Sequence, residues 1–119
     1  DRFGHDVGDT VLQQVAGIVR ANIRIQDAVA RFGGEELVVA LPNTDAPAAS
    51  AIADRIRDVI MRETGRSLGV TVSIGVAADN GAEATFKRLF KAADEALYVA
   101  KHTGRNRIVL ASGSVLAPA

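Results

Sequence analysis

Two apolar runs, residues 28–32 (AVARF) and 37–41 (LVVAL), are separated only by Gly33, Gly34, Glu35 and Glu36. So short a link between two strand-like runs predicts a tight hairpin, and the glycines supply the unusual backbone angles that its turn demands. The second run is nearly all apolar, as a buried strand is. A hairpin of this kind puts Glu35 and Glu36 at the rim of a sheet. Adjacent like charges repel, and a shared cation relieves that repulsion. Mg²⁺ takes oxygen ligands, keeps some of its waters and rides on substrate phosphates. From these residues alone, a solvated turn with two idle glutamates stays equally open.

The rest of the chain supplies what the hairpin packs against. Residues 7–24 carry a helical stripe of Val11, Leu12, Val15, Ile18, Val19 and Ile23, with Asp6 or Asp9 as a candidate N-cap. Pro42 ends the second strand, Asn43, Thr44 and Asp45 offer a cap, and Pro47 suits a first helical turn. The helix that follows, to about residue 63, buries Ala49, Ile52, Ala53, Ile56 and Ile60. Residues 70–77 (VTVSIGVA) are rich in β-branched side chains and read as a strand, in which Gly75 suggests a close backbone approach or a bulge. A last helix over residues 83–102 buries Phe86, Leu89, Phe90, Ala93, Leu97 and Ala100. Gly104 is its candidate C-cap, and residues 107–110 form a terminal strand. The expectation is one α/β sandwich domain over residues 1–110, a sheet with flanking helices, followed by a frayed tail at 111–119. A βαββαβ pattern would place a further strand before the first helix.

Composition matters mainly for what it removes. With 14 basic and 14 acidic residues the net charge is zero, so the broad basic field of a non-specific nucleic-acid binder is absent. There is no cysteine and there are only two histidines, which excludes disulfides, thiol chemistry and the usual zinc sites. No apolar run in the sequence reaches transmembrane length. The cytoplasm is the expected location, and a membrane anchor elsewhere in a longer parent protein is compatible with it.

Three other groups of polar residues carry two readings each. Lys101 and Arg105 flank Gly104 at a helix end, where they complement the helix dipole or hold phosphates. Arg24 and Asp27, in RIQD, are three apart and can form a local ion pair. Together with Arg55 on the next helix they could instead hold an anionic, hydrogen-bonding ligand such as a guanine nucleotide. Asp9 either caps a helix or, as a carboxylate, accepts from both N1–H and the 2-amino group of guanine.

In this order and spacing these pieces resemble the GGDEF domain of bacterial diguanylate cyclases. The resemblance runs through FGHDVGD (residues 3–9), RIQDAVARFGGEEL (24–37), Leu41-Pro42, VTVSIGVA (70–77) and ADEALYVAKHTGRN (93–106). It covers essentially the whole chain apart from the tail. It implies a ferredoxin-like, nucleotide-cyclase palm-type fold with a mostly antiparallel sheet. It implies an enzyme that condenses two GTP into cyclic di-GMP and releases pyrophosphate, using Mg²⁺ or Mn²⁺ and a second GGDEF domain in a homodimer, under an upstream sensory or receiver domain.

Carried onto this chain, the resemblance makes Glu35 a metal ligand. Glu36 becomes a second one, or a group that helps deprotonate the 3′-hydroxyl. Gly33 and Gly34 let the backbone approach GTP, Asp9 reads the guanine edge, and Lys101 and Arg105 grip the terminal phosphates. Arg31 would pair with acidic groups near the hairpin. Arg24 and Asp27 match an inhibitory product-binding motif, with Arg55 as a further arginine of that site. The position one turn before Arg55, often a second arginine, is Ala51, which implies weaker inhibition or an arginine borrowed from a partner domain.

Two departures stand out. The signature ends in Leu37 instead of phenylalanine, an apolar exchange that a strand tolerates. The family also begins with a strand that bears a metal-binding aspartate, a lysine and an asparagine, and Asp1 matches only the last residue of that stretch. The expectation is a stretch of a longer, active enzyme, inactive on its own as these 119 residues. The alternative is a domain that no longer catalyses and binds cyclic di-GMP or GTP as a regulatory module.

Overall fold

The computed structural model describes residues 2–32, 35–65, 69–79 and 85–111, with side chains from residue 8 onward. Gly33, Gly34, the expected start of the last helix at Glu83 and the tail from residue 112 lie outside the described residues, as do the side chains of His5 and Asp6. The elements in chain order are α1 (Arg2–Ala21), β1 (Ala28–Arg31), β2 (Leu37–Ala40), α2 (Ala46–Thr64), β3 (Ile74–Val76), α3 (Phe86–His102) and β4 (Ile108–Leu110).

The two long helices with clear caps lie close to where their sequences put them. Asp45 caps α2, its Oδ1 accepting from the Ala48 amide at 2.9 Å, with Pro47 in the first turn. Thr85 caps α3 by accepting from the Arg88 amide. The boundaries of α1 differ from the expectation at both ends. It begins at Arg2, which puts Asp9 about two turns inside the helix and removes its capping role. Gly4 and Gly8 lower helix propensity here without forbidding it. It ends at Ala21, because Asn22 donates from its amide to the Val19 carbonyl at 2.9 Å and from Nδ2 to the Ile18 carbonyl at 2.8 Å. Those bonds satisfy carbonyls that another turn would have used.

The strands form two separate pairs instead of one mostly antiparallel sheet. β1 and β2 are antiparallel, with Ala28 opposite Ala40 and Arg31 opposite Leu37. β3 and β4 are parallel, with Ile74 opposite Ile108. No strand joins the two pairs among the described residues. Helix α2 unites them. Its Ile56 and Ile60 pack with Val15, Ile18 and Val19 of α1, over Val29, Leu37 and Val39 of the hairpin. Its Ala49 and Ala53 pack on Val76, with Ile74, Ile108 and Leu110 around them. The core is aliphatic, as an aromatic content of 4% requires.

The strand expected over residues 70–77 pairs only at Ile74–Val76. Propensity alone does not make a ladder; a strand needs a neighbour. Val70 and Val72 still cover the first core cluster. Val70 is tied instead to the fully buried Thr64, whose Oγ1 accepts from the Val70 amide at 2.9 Å and donates to the Ile60 carbonyl at 2.7 Å. Gly75 meets α3 backbone to backbone: a Cβ there would collide with the Ala93 carbonyl oxygen and the Leu97 amide nitrogen. The close approach expected of that glycine is therefore real. No helix among the described residues is long and apolar enough to cross a membrane.

Candidate active site

Alternation along β1 sends its side chains to two faces. Val29 faces α1 and α2 together with Leu37 and Val39 of β2, and Arg31 follows on the same face. Arg31 Nη2 donates to Asp9 Oδ1 of α1 at 2.7 Å, with the two side chains 46% and 38% exposed. Phe32 points the other way and meets α3, its ring 4.7 Å from Phe90 and 6.3 Å from Phe86. The hairpin is thus held from both sides, by an ion pair to α1 and by aromatic contacts to the start of α3. Between these supports the Phe32 amide donates to the Glu36 carbonyl at 2.8 Å, which closes the turn. Glu35 is exposed and Glu36 half-buried.

A cavity of about 220 Å³ opens between α1 and the hairpin, lined in part by Leu12, Gln13, Ala16, Arg20, Val29 and Arg31. Arg31, one of its lining residues, pairs with Asp9. Such a slot beside a carboxylate suits a flat heterocycle with donors on its edge.

Lys101 lies in the last turn of α3 and Arg105 just beyond it. The chain turns there through left-handed backbone: φ is +133° at Gly104, +59° at Arg105 and +46° at Asn106. The Arg105 amide donates to the Ala100 carbonyl at 2.9 Å, the wrap that closes a helix C-terminus. Thr103 is the cap residue itself, so Gly104 is the glycine just past the cap. Neither the Lys101 nor the Arg105 side chain pairs with an acidic group among the described residues. Phe90 touches the hairpin, and eleven residues of helix, roughly 16 Å at 1.5 Å per residue, separate it from Lys101.

The RIQD segment forms the loop between α1 and β1. Arg24 Nε and Nη2 donate to Asp27 Oδ2 and Oδ1 at 2.9 and 2.8 Å, and the Arg24 amide adds a third bond to Oδ2 at 2.8 Å. The Asp27 side chain is fully covered while Arg24 stays 39% exposed. The hydrogen bonds from Arg24 hold the Asp27 carboxyl below its ordinary pKa, and the same bonds raise that of Arg24. Arg24 also donates to Thr44 Oγ1, whose hydroxyl donates on to the Pro42 carbonyl. Arg55 reaches across from α2 and donates to the Asn22 carbonyl at 2.8 Å. The three expected product-site residues therefore meet around one loop. Thr44 is a partner that spacing did not reveal, since it lies 20 residues from Arg24 in sequence.

Glu35 and Glu36 are hard oxygen donors of the kind Mg²⁺ accepts, and such ions commonly take one or two carboxylates and complete their shell with phosphates and water. Among the described residues no cluster of three potential ligands occurs. The donor set fits a divalent cation shared with a phosphate substrate, and among the described residues it forms no all-protein cage.

Residues 1–107 match the family described as diguanylate cyclase, GGDEF domain. Diguanylate cyclase A of Treponema denticola is 42% identical over 119 residues, covering 97% of this chain and 32% of the relative. The response regulator PleD of Caulobacter vibrioides is 45% identical over 115 residues, covering 92% and 25%. The chain therefore spans about a third or less of these curated relatives. Among solved structures, the active GGEEF domain of a diguanylate cyclase from Vibrio cholerae superposes with a TM-score of 0.79 at 31% identity, covering 93% of this chain and 72% of that one. The GGDEF domain of DgcB from Caulobacter crescentus, in complex with c-di-GMP, gives 0.77 at 32% identity, covering 92% and 68%.

Proposed function

The chain belongs to the GGDEF family of diguanylate cyclase domains, and from that premise we propose that it is the catalytic domain of an enzyme that joins two GTP into cyclic di-GMP. The observation that carries this reading is the hairpin. Its turn places Glu35 and Glu36 at the sheet rim, while the residue before it, Phe32, and the one before that, Arg31, lock the turn between α3 and α1.

Each side chain then has a task set by its position. Asp9 accepts from the N1–H and 2-amino groups of guanine, a pair of donors that adenine lacks, and the cavity beside it takes the base. Arg31 holds Asp9 in place from the strand side. Lys101 and Arg105 bind the terminal phosphates as they become pyrophosphate. Glu35 and Glu36 hold Mg²⁺ or Mn²⁺, which when bound polarises the phosphate and neutralises developing charge. Glu36, the half-buried member of the pair, also takes the proton of the attacking 3′-hydroxyl. The 3′-oxygen of one GTP forms a bond to the α-phosphorus of the other, the α–β bridging bond breaks, and pyrophosphate leaves; a second such step closes the ring. Because each domain holds one GTP, the reaction needs two copies face to face. Arg24, Asp27 and Arg55 form a separate site for cyclic di-GMP as an inhibitor.

The test is incubation of the full-length protein with GTP and Mg²⁺, with cyclic di-GMP and pyrophosphate as readouts, beside Glu35→Gln. The variant keeps its fold, since Glu35 is exposed at the rim, and loses at least about 100-fold in turnover, the scale of removing one electrostatic catalytic group. Wild-type turnover in the variant would overturn the assignment. A wild-type protein that binds cyclic di-GMP and makes none would replace the enzyme by a receptor.

A further inference from the structure

We infer that Asn106, held by Arg57 of α2, is a positioning residue that aims Arg105 at the substrate phosphates. The inference rests on the reading of Lys101 and Arg105 as phosphate ligands and adds a device for which that reading has no place.

The starting point is the backbone. Arg105 and Asn106 both have positive φ, +59° and +46°. This region is unfavourable for any residue with a Cβ, and asparagine tolerates it better than arginine does. A surface turn has no reason to keep an arginine there unless its surroundings impose it, and such enforced conformations gather at functional sites. The surroundings here are specific. Arg57 Nη1 donates to Asn106 Oδ1 at 2.9 Å across 49 residues of sequence. Asn106 Nδ2 approaches Met61 Sδ at 3.5 Å, one turn further along α2. Arg57 is itself oriented by Asp54 at 2.9 Å, and its side chain is only 17% exposed.

The turn is gripped from its other end as well. Arg107 Nε donates to the Arg105 carbonyl at 3.2 Å, and the space beside Gly104 is filled by the Arg107 guanidinium. The Arg107 carbonyl accepts from the Ile74 amide at 3.0 Å, which anchors the segment to β3. Backbone and neighbours of Arg105 are therefore fixed on three sides, while its side chain is exposed and pairs with no acidic group among the described residues. With its backbone fixed, Arg105 has only its side-chain rotamers left to order on meeting a phosphate. Lys101, one helical turn earlier, supplies the second charge. The shorter of the two side-chain ties from this turn to α2 is the hydrogen bond from Arg57 to Asn106.

The experiment measures KM for GTP, kcat, and competition by GMP in the full-length protein. The variants are Asn106→Gly, Arg57→Met and Asn106→Asp, with Arg105→Ala as reference. Glycine accepts the left-handed backbone freely and removes only the clamp. Methionine keeps the stem of Arg57 and removes its donors. Asparagine to aspartate retains an acceptor for Arg57. The expected result is a KM for GTP raised about tenfold in Asn106→Gly and Arg57→Met, the scale of losing a charge-assisted hydrogen bond, with kcat little changed and GMP competition unaltered. Asn106→Asp restores KM to within about twofold of wild type. If Arg105→Ala raises KM and the two clamp variants do not, the positioning role is wrong and the phosphate reading stands. If GMP binding weakens as much as GTP binding, the clamp is a general structural support and the inference fails. If Arg105→Ala itself leaves KM unchanged, the phosphate reading falls, and this inference with it.

Discussion

Substituting Gly75 by alanine adds one methyl group where β3 meets α3, and the structure sets the cost. Ordinary contact for a Cβ begins at about 3.4 Å, yet here Leu97 Cα would lie at 3.0 Å, with the Ala93 carbonyl oxygen and the Leu97 amide nitrogen closer still. All three obstacles are backbone, so no side chain can swing aside. The helix must retreat by about an ångström at the Leu97 amide and by more at the Ala93 carbonyl. That retreat opens the packing under Ala96 and Ala100, which are 4% and 0% exposed. Forced overpacking typically costs 1–3 kcal/mol, and a clash with backbone belongs at the upper end, about 3 kcal/mol. Urea denaturation gives the free-energy change, and amide exchange across residues 86–102 shows whether α3 loosens locally. With Lys101 as the proposed phosphate ligand on α3, a weaker GTP affinity is also expected of the variant. A loss below about 0.5 kcal/mol with unchanged exchange in α3 would refute the packing argument.

Thr64→Val keeps the shape of a fully buried side chain and strips the Val70 amide of its acceptor; the expected loss is about 2 kcal/mol by urea midpoint, the cost of an unsatisfied buried donor, and no loss would mean that water replaces the hydroxyl. Asp27 has a folded pKa below its ordinary 3.8, chiefly through its hydrogen bonds from Arg24, so its stabilising contribution is complete above the unfolded value and is lost as pH falls through the lower folded one. The difference in melting temperature between wild type and Asp27→Asn should therefore stay constant from pH 7 to about pH 5 and shrink only below about pH 4; a decline already under way at pH 6 would contradict the assignment. Arg24→Ala should relieve inhibition by cyclic di-GMP without lowering uninhibited turnover, and the inhibition it removes should be non-competitive with GTP; a competitive pattern would place the product in the substrate site instead.

What could be read from the sequence depended on how far apart the partners lie. The stripe of α2 was legible because Asp45 and Pro47 mark its start and its apolar residues keep one period. The Arg24–Asp27 pair was legible because its partners are three residues apart. The Asp9–Arg31 pair spans 22 residues and the Arg57–Asn106 bond 49; no local pattern encodes either, and only the packing of α1 and α2 creates them. The expected role of Asp9 as a helix cap failed because a cap depends on where a helix starts, and glycines at positions 4 and 8 blur that start. Residues 70–73 read as strand on β-branched content, while the ladder itself needs a neighbour that composition cannot announce. Glu35 and Glu36 were legible as a charged rim because the turn is short and bounded by apolar runs. The separation between that rim and Lys101 was not, since it depends on which end of α3 meets the hairpin.

The polarity of β1 bears on how the two proposed sites relate. The strand begins directly after Asp27 and ends directly before Phe32, so four residues, about 13 Å at 3.3 Å each, separate the loop of Arg24 and Asp27 from the candidate metal turn. The two ends of the strand therefore offer a nucleotide separate sets of contacts on the same domain. Any influence of one on the other must pass through the strand and its supports, or through the way two domains are held together. The supports are stiff: Arg31 is tied to α1, Phe32 to α3, and Val29 is packed over α1 and α2. Arg24 is likewise bound to the loop after β2 through Thr44. A ligand that draws Arg24 away from Asp27 therefore loosens the connection between the two hairpin strands at their base, while Glu35 and Glu36 sit at their tip. The hairpin is the shortest continuous structure that touches both sites, and it is the element through which occupation of one would be felt at the other.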